Sequence, residues 1–220
     1  MGDALRGFIH DLRRFYAERA LDGPAMFATV AEELATVLEG PVGSPSPDPL
    51  PVAGLLERLE TDGEPGSLLT RFLDLAPHLP WTQTRAYLDT LPPEFVRNYG
   101  YVRLVGPAEG AVLRSDRVAV GVGVWGAGLH YPRHAHPAEE AYHVLAGNVG
   151  FRGADGTRVE LVPVSPGDSP GEFAHNAPDE PHELWFGGRS GVPEPDPDLD
   201  PPCVLLWAWT GEIGVDARLV

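Results

Sequence analysis

The 220-residue chain sets 32 acidic residues against 16 basic ones, a formal charge of −16 that argues against nucleic-acid binding, which wants a basic face. Its length suits one large domain, or a domain with an added segment, and its 43% apolar content is ordinary for a soluble protein. Cys203 is the only cysteine, Met1–Arg6 has no apolar h-region and no run is long enough to span a bilayer, so the expectation is a cytoplasmic protein without an internal disulfide or a membrane partner.

Leu5, Phe8, Ile9, Leu12, Phe15, Tyr16 and Ala20 recur at helical spacing, which predicts an amphipathic helix over residues 4–20 with Asp3 as its N-cap. Asp22-Gly23-Pro24 breaks it. A second helix carries Phe27, Val30, Ala31, Leu34, Val37 and Leu38 on one side and ends at Gly40. Prolines 41, 45, 47, 49 and 51 predict an extended connection. Short helices are expected near Val52–Glu60 and Ser67–Leu75.

From Tyr99 the period changes to two. Val118, Val120, Val122 and Val124 alternate with Ala119, Gly121, Gly123 and Trp125, which is a strand with a valine face and a mostly small face. Further strands are expected at Glu140–Phe151, Thr157–Pro163, Gly171–Asn176, Glu183–Phe186 and Val204–Trp209. Short strands at this spacing, with Gly/Pro turns, predict a mainly β chain folded as a jelly-roll barrel. The division is an N-terminal helical segment, 1–98, and a β-barrel, 99–220. Residues 190–202, with Glu194, Asp196, Asp198 and Asp200 among five prolines, lack the spacing of an EF-hand loop and read as a surface loop.

Chemistry concentrates between Tyr131 and Tyr142. His134 and His136 are two residues apart and project to one face of a strand; Glu140 and Tyr142 share that spacing. A turn through Pro137 would bring the two pairs into one pocket. Imidazole and carboxylate suit a divalent ion such as Zn, Fe(II), Mn or Ni. His182, in Pro181-His182-Glu183, is well placed to add a fourth ligand from a distant strand. A lone histidine is more often a packed or surface residue, but six of the eight histidines fall between His130 and His182.

Gly126, Gly128, His134, His136, Glu140 and Gly147 resemble the first cupin motif. Pro170-Gly171 through Pro181-His182 resembles the second, with Pro166-Gly167-Asp168 as a rival start and His175 as a rival ligand. The string Tyr131-x-x-His134-x-His136-x-x-x-Glu140-x-Tyr142, behind a helical segment, is similar to the cupin-type dimethylsulfoniopropionate lyases. That resemblance implies cleavage of a small zwitterionic sulfonium to dimethyl sulfide and acrylate. It implies one divalent metal on His134, His136, Glu140 and His182, with Tyr142 as base and Tyr131 as a second pocket tyrosine. Trp125, Trp185, Trp207, Trp209 or Tyr131 would hold the sulfonium by cation–π contact. Two other classes stay open, as does a homodimer. One is a metal-dependent dioxygenase of a thiol or small acid; the other is a non-catalytic cupin that binds a small ligand.

Overall fold

The structure is a computed structural model that describes residues 1–42, 46–59, 67–107, 110–164, 173–187 and 200–220. Four α-helices precede the sheets: α1 (Gly2–Arg19), α2 (Ala25–Glu39), α3 (Leu68–Leu75) and α4 (Pro93–Arg97). The strands are β1 (Tyr99–Gly106), β2 (Ala111–Arg114), β3 (Val118–Trp125), β4 (His130–Ala135), β5 (Ala138–Ala146), β6 (Val149–Arg152), β7 (Arg158–Leu161), β8 (Ala174–Asn176), β9 (His182–Phe186), β10 (Cys203–Gly211) and β11 (Arg218–Leu219). They form a six-stranded sheet, β2-β1-β3-β10-β5-β8, and a five-stranded sheet, β11-β4-β9-β6-β7. Among the described strands, β1 and β2 pair in parallel and the other pairs are antiparallel. This is the jelly-roll barrel that the strand spacing predicts, with helices added at its N-terminal side.

The larger sheet buries both faces. Val118, Val120, Val122 and Val124 join the α1, α2 and α3 side chains in one core. Ala119 and Trp125 belong to the second core, inside the barrel. The small residues on that inner face make room for indoles: a Cβ at Gly121 would collide with the Trp207 ring. The stripe of α1 is buried as its spacing predicts, with Leu5, Phe8, Ile9, Leu12 and Tyr16 fully enclosed. Each such side chain contributes about 1.5–3 kcal/mol by leaving water. A polar pin joins α2 to the barrel, where Ser115 Oγ donates to Glu33 Oε1 at 2.8 Å and Arg117 Nη1 to Glu33 Oε2 at 3.0 Å.

Several local expectations are corrected. Asp3 lies inside the first turn of α1, where its charge favours the helix dipole, and Met1 takes the N-cap position. The segment 51–58 is a 3-10 helix. The strand expected over Glu140–Phe151 is two strands in different sheets. Gly147, at φ +81°, turns the chain between them, a conformation open to glycine. Strands β2 and β11 had no clear alternation to announce them. The loop expected at 190–202 and the Pro170-Gly171 start fall largely outside the described residues. Among the described residues, no helix is long and apolar enough to cross a membrane.

His143 faces away from the barrel, into the helical core. Phe15, Tyr16, Phe27 and Phe173 surround its ring at centroid distances of 4.9–5.7 Å. Neither ring nitrogen has a hydrogen-bond partner among the described residues. Burial, helped by the nearby Arg19 charge, pushes its pKa from the usual 6.5 down to about 3. The unfolded chain therefore takes up a proton near pH 6.5 that the folded chain refuses until about pH 3. This group's contribution to stability is complete above the upper value and declines between the two, by at most about 1.4 kcal/mol per pH unit. In acid titrations followed by circular dichroism, His143→Phe should unfold at lower pH than the wild type. Coincident midpoints would contradict the assignment.

Candidate metal centre

The chain crosses between sheets at Pro137. Strand β4 lies in the five-stranded sheet and β5 in the six-stranded one, so His134 and His136 approach Glu140 from the opposite wall. Strand β9 pairs beside β4, and His182 is the direct cross-strand partner of His134. A register shift between Tyr131 and His134 re-aims these side chains.

Ligand atoms of His136, Glu140 and His182 all lie within 4.8 Å of one another, and all three residues are buried. His134 stands at their side, its ring 4.2 Å from that of His182 and stacked on Tyr131 at 3.9 Å. Each histidine is oriented through Nδ1 by a backbone carbonyl. His134 meets Pro132 at 2.9 Å, His136 meets Ala138 at 2.9 Å and His182 meets Glu180 at 3.0 Å. Donation from Nδ1 turns Nε2 toward the cluster, the arrangement that metal-bound histidines adopt once Nε2 is free of a proton. Nε2 of His134 and Nε2 of His182 are buried without a hydrogen-bond partner among the described residues. Nε2 of His182 does lie 3.1 Å from Glu140 Oε2, but without hydrogen-bond alignment. Buried acceptors of this kind are rare unless a cation or water satisfies them, so the donor set fits a divalent ion.

Glu140 is held in place from several directions. Trp209 Nε1 donates to Oε1 at 2.5 Å, Asn176 Nδ2 to Oε2 at 3.4 Å, and His136 Nε2 meets Oε2 at 2.8 Å. Burial alone would raise its pKa, but the His136 charge, the hydrogen bond from His136 and the close approach of His182 hold it well below the usual carboxylate range. Burial opposes a charge on His136, yet Glu140 outweighs it and raises the pKa. A cation entering here must displace that shared proton. His134 is lowered, by burial and then by His182.

Above the cluster lies a cavity of about 420 Å³, mouth included, lined among others by Glu140, Tyr142, Tyr131, Trp125, Trp207 and Trp209. Burial first, and then the Glu140 charge, hold the Tyr142 phenol well above its ordinary value. Tyr131 is raised as well, by burial and its tyrosine neighbours, and it donates to Tyr87 Oη at 2.9 Å.

Trp185 is not in the cavity wall. It is sandwiched on the outer surface between His130, at 4.8 Å, and the guanidinium groups of Arg152 and Arg158. His175 is one-third exposed on β8, with Nε2 2.8 Å from Glu139 Oε1, and does not reach the cluster. Residues with no part in the sequence argument also line the cavity. Thr84 comes from the helical segment, Tyr101 and Arg103 from β1, and Asp216 from the C-terminal loop. The inward alternation Tyr99, Tyr101, Arg103 was a usable signal. Thr84, Tyr87 and Asp216 have none, since only the tertiary fold delivers them.

A family model described as dimethylsulfoniopropionate lyase matches residues 25–190. Dimethylsulfoniopropionate lyase DddQ of Ruegeria pomeroyi is 43% identical over 61 residues, which is 28% of this chain and 29% of that relative. The match thus spans less than a third of the relative's length. A crystal structure of lyase DddQ from Ruegeria pomeroyi DSS-3 superposes with a TM-score of 0.71 at 23% identity, covering 100% of this chain and 98% of that one. A chain from the structures of the lyases RdDddP and RnDddQII gives a TM-score of 0.68 at 23% identity, with full coverage of both. At that identity the two structures establish a shared fold.

Elemental analysis of purified variants tests the cluster. His136→Ala, Glu140→Ala and His182→Ala should each lose most of the bound divalent metal, and His175→Ala should keep it. His134→Ala should lose it too if the orphaned Nε2 completes the set. Full occupancy in His182→Ala would contradict the assignment.

Proposed function

The chain belongs to the dimethylsulfoniopropionate lyase family, and from that premise we propose that it cleaves dimethylsulfoniopropionate to dimethyl sulfide and acrylate by β-elimination. The observation that carries this reading is the buried His136–Glu140–His182 cluster, whose Glu140 lines an aromatic cavity together with four tyrosines, Tyr131 and Tyr142 among them. A divalent ion on those residues and His134 (Zn, Fe(II), Mn or Ni) would supply a Lewis acid for negative charge developing on the substrate carboxylate, and a positive charge favouring ionisation of Tyr142.

The remaining work falls to side chains. Tyr142 follows Glu140 by two on β5 and faces the same cavity. As phenolate it takes the Cα proton. The C–H electron pair becomes the Cα–Cβ double bond of acrylate, the Cβ–S bond breaks and its pair leaves on neutral dimethyl sulfide. No electron is gained or lost overall. Trp125, Trp207 and Trp209 offer π-faces to the sulfonium. Tyr131, anchored on Tyr87, orients the substrate. The buried thiol Cys203 is consistent with a reducing, cytoplasmic setting.

The test is headspace dimethyl sulfide from metal-loaded protein given dimethylsulfoniopropionate. Tyr142→Phe should keep fold and metal while turnover falls about 10²-fold, the scale of a lost general base. Tyr131→Phe should lose less. The reverse order would exchange the two roles. No dimethyl sulfide from the wild type, or turnover that stops without oxygen, would sink the lyase reading.

A further inference from the structure

Arg103 is the one cationic side chain that lines the cavity among the described residues. It follows Tyr99 and Tyr101 on the inward face of β1, next to a register shift between Arg103 and Val105. Its side chain is only 15% exposed, and its Nε is buried without a hydrogen-bond partner among the described residues. The nearest carboxylate is Asp216, at 3.9 Å, on a side chain 56% exposed. That contact is too long for a hydrogen bond and does not use Nε.

A nearly dry guanidinium with an unmatched donor is costly unless a ligand completes it. The donors Nε–H and Nη–H form a planar fork that fits one carboxylate side-on. Aromatic rings separate this fork from the metal cluster. Tyr101 packs on Trp207 at 5.8 Å, Trp207 on Trp209 at 5.6 Å, and Trp209 reaches Glu140. The two ends of the cavity are thus chemically different, with the Glu140 carboxylate of the metal cluster at one and a guanidinium at the other.

We propose that Arg103 forms a binding site for a small monocarboxylate at the cavity mouth, distinct from the metal cluster, with Asp216 as the internal group that the ligand displaces. The lyase reading supplies the ligand's identity, the substrate carboxylate on entry and acrylate on exit. The site itself does not depend on turnover. Asp216 makes the docking reversible: its carboxylate returns to the guanidinium when the ligand moves on.

Calorimetric titration of the purified full-length chain with propionate, at matched metal content, tests the site. The wild type should bind. Arg103→Met should bind about tenfold to a hundredfold more weakly, the scale of a lost charge-assisted pair. Asp216→Asn, a change at a largely exposed side chain, should bind more tightly, because the competing carboxylate is gone. These opposite signs separate the site from general damage to the fold. A wild type that takes up no propionate, an Arg103→Met chain with unchanged affinity, or an Asp216→Asn chain that binds no more tightly would overturn the proposal. None of these outcomes turns on dimethyl sulfide release, so the lyase reading stands or falls separately.

Discussion

Two imidazole nitrogens buried without hydrogen-bond partners among the described residues, beside a buried carboxylate, form the constraint on which the site depends. Such an arrangement is unfavourable on its own terms, because each lone pair has lost water and gained nothing. The surroundings hold it in place regardless. Three backbone carbonyls fix the rings through Nδ1, and an indole, an amide and an imidazole fix the carboxylate. Ligand geometry is therefore set before any ion arrives, and the cost of ordering the side chains falls on folding rather than on binding.

The barrel supplies that rigidity by using its larger sheet twice. The valine face of β3 packs on the helices and the small face receives indole rings. Cavity walls are thereby braced from behind by a second core. The helical segment also reaches the site itself, since Thr84 lines the cavity and Tyr87 accepts the hydrogen bond from Tyr131. Proximity in sequence between Tyr131 and Tyr142 sets up the centre, and distant residues shape what can enter it.

Local spacing explains what was legible in the sequence. The α1 stripe and the alternation of β3 are patterns of near neighbours, and the fold places them as those patterns imply; between His134 and Tyr142 it brings His136 and Glu140 within reach of His182. Errors arose where one local signal hid another. Apolar residues run on both sides of Gly147, so a turn between two sheets looked like one long strand. Trp185 looked like Trp207 until β9 placed it on the outer surface, against His130. Arg103 and Asp216 meet only because β1 and the C-terminal loop converge at the cavity mouth.

Whether residues from the crossing at Pro137 and from β9 hold one divalent ion decides the chemistry of the barrel. X-ray absorption at the metal edge of the purified chain addresses it most directly. The account predicts one ion per chain, in a shell with imidazole scattering from at least His136 and His182 and an oxygen from Glu140. A shell of oxygens alone, without imidazole, would contradict it.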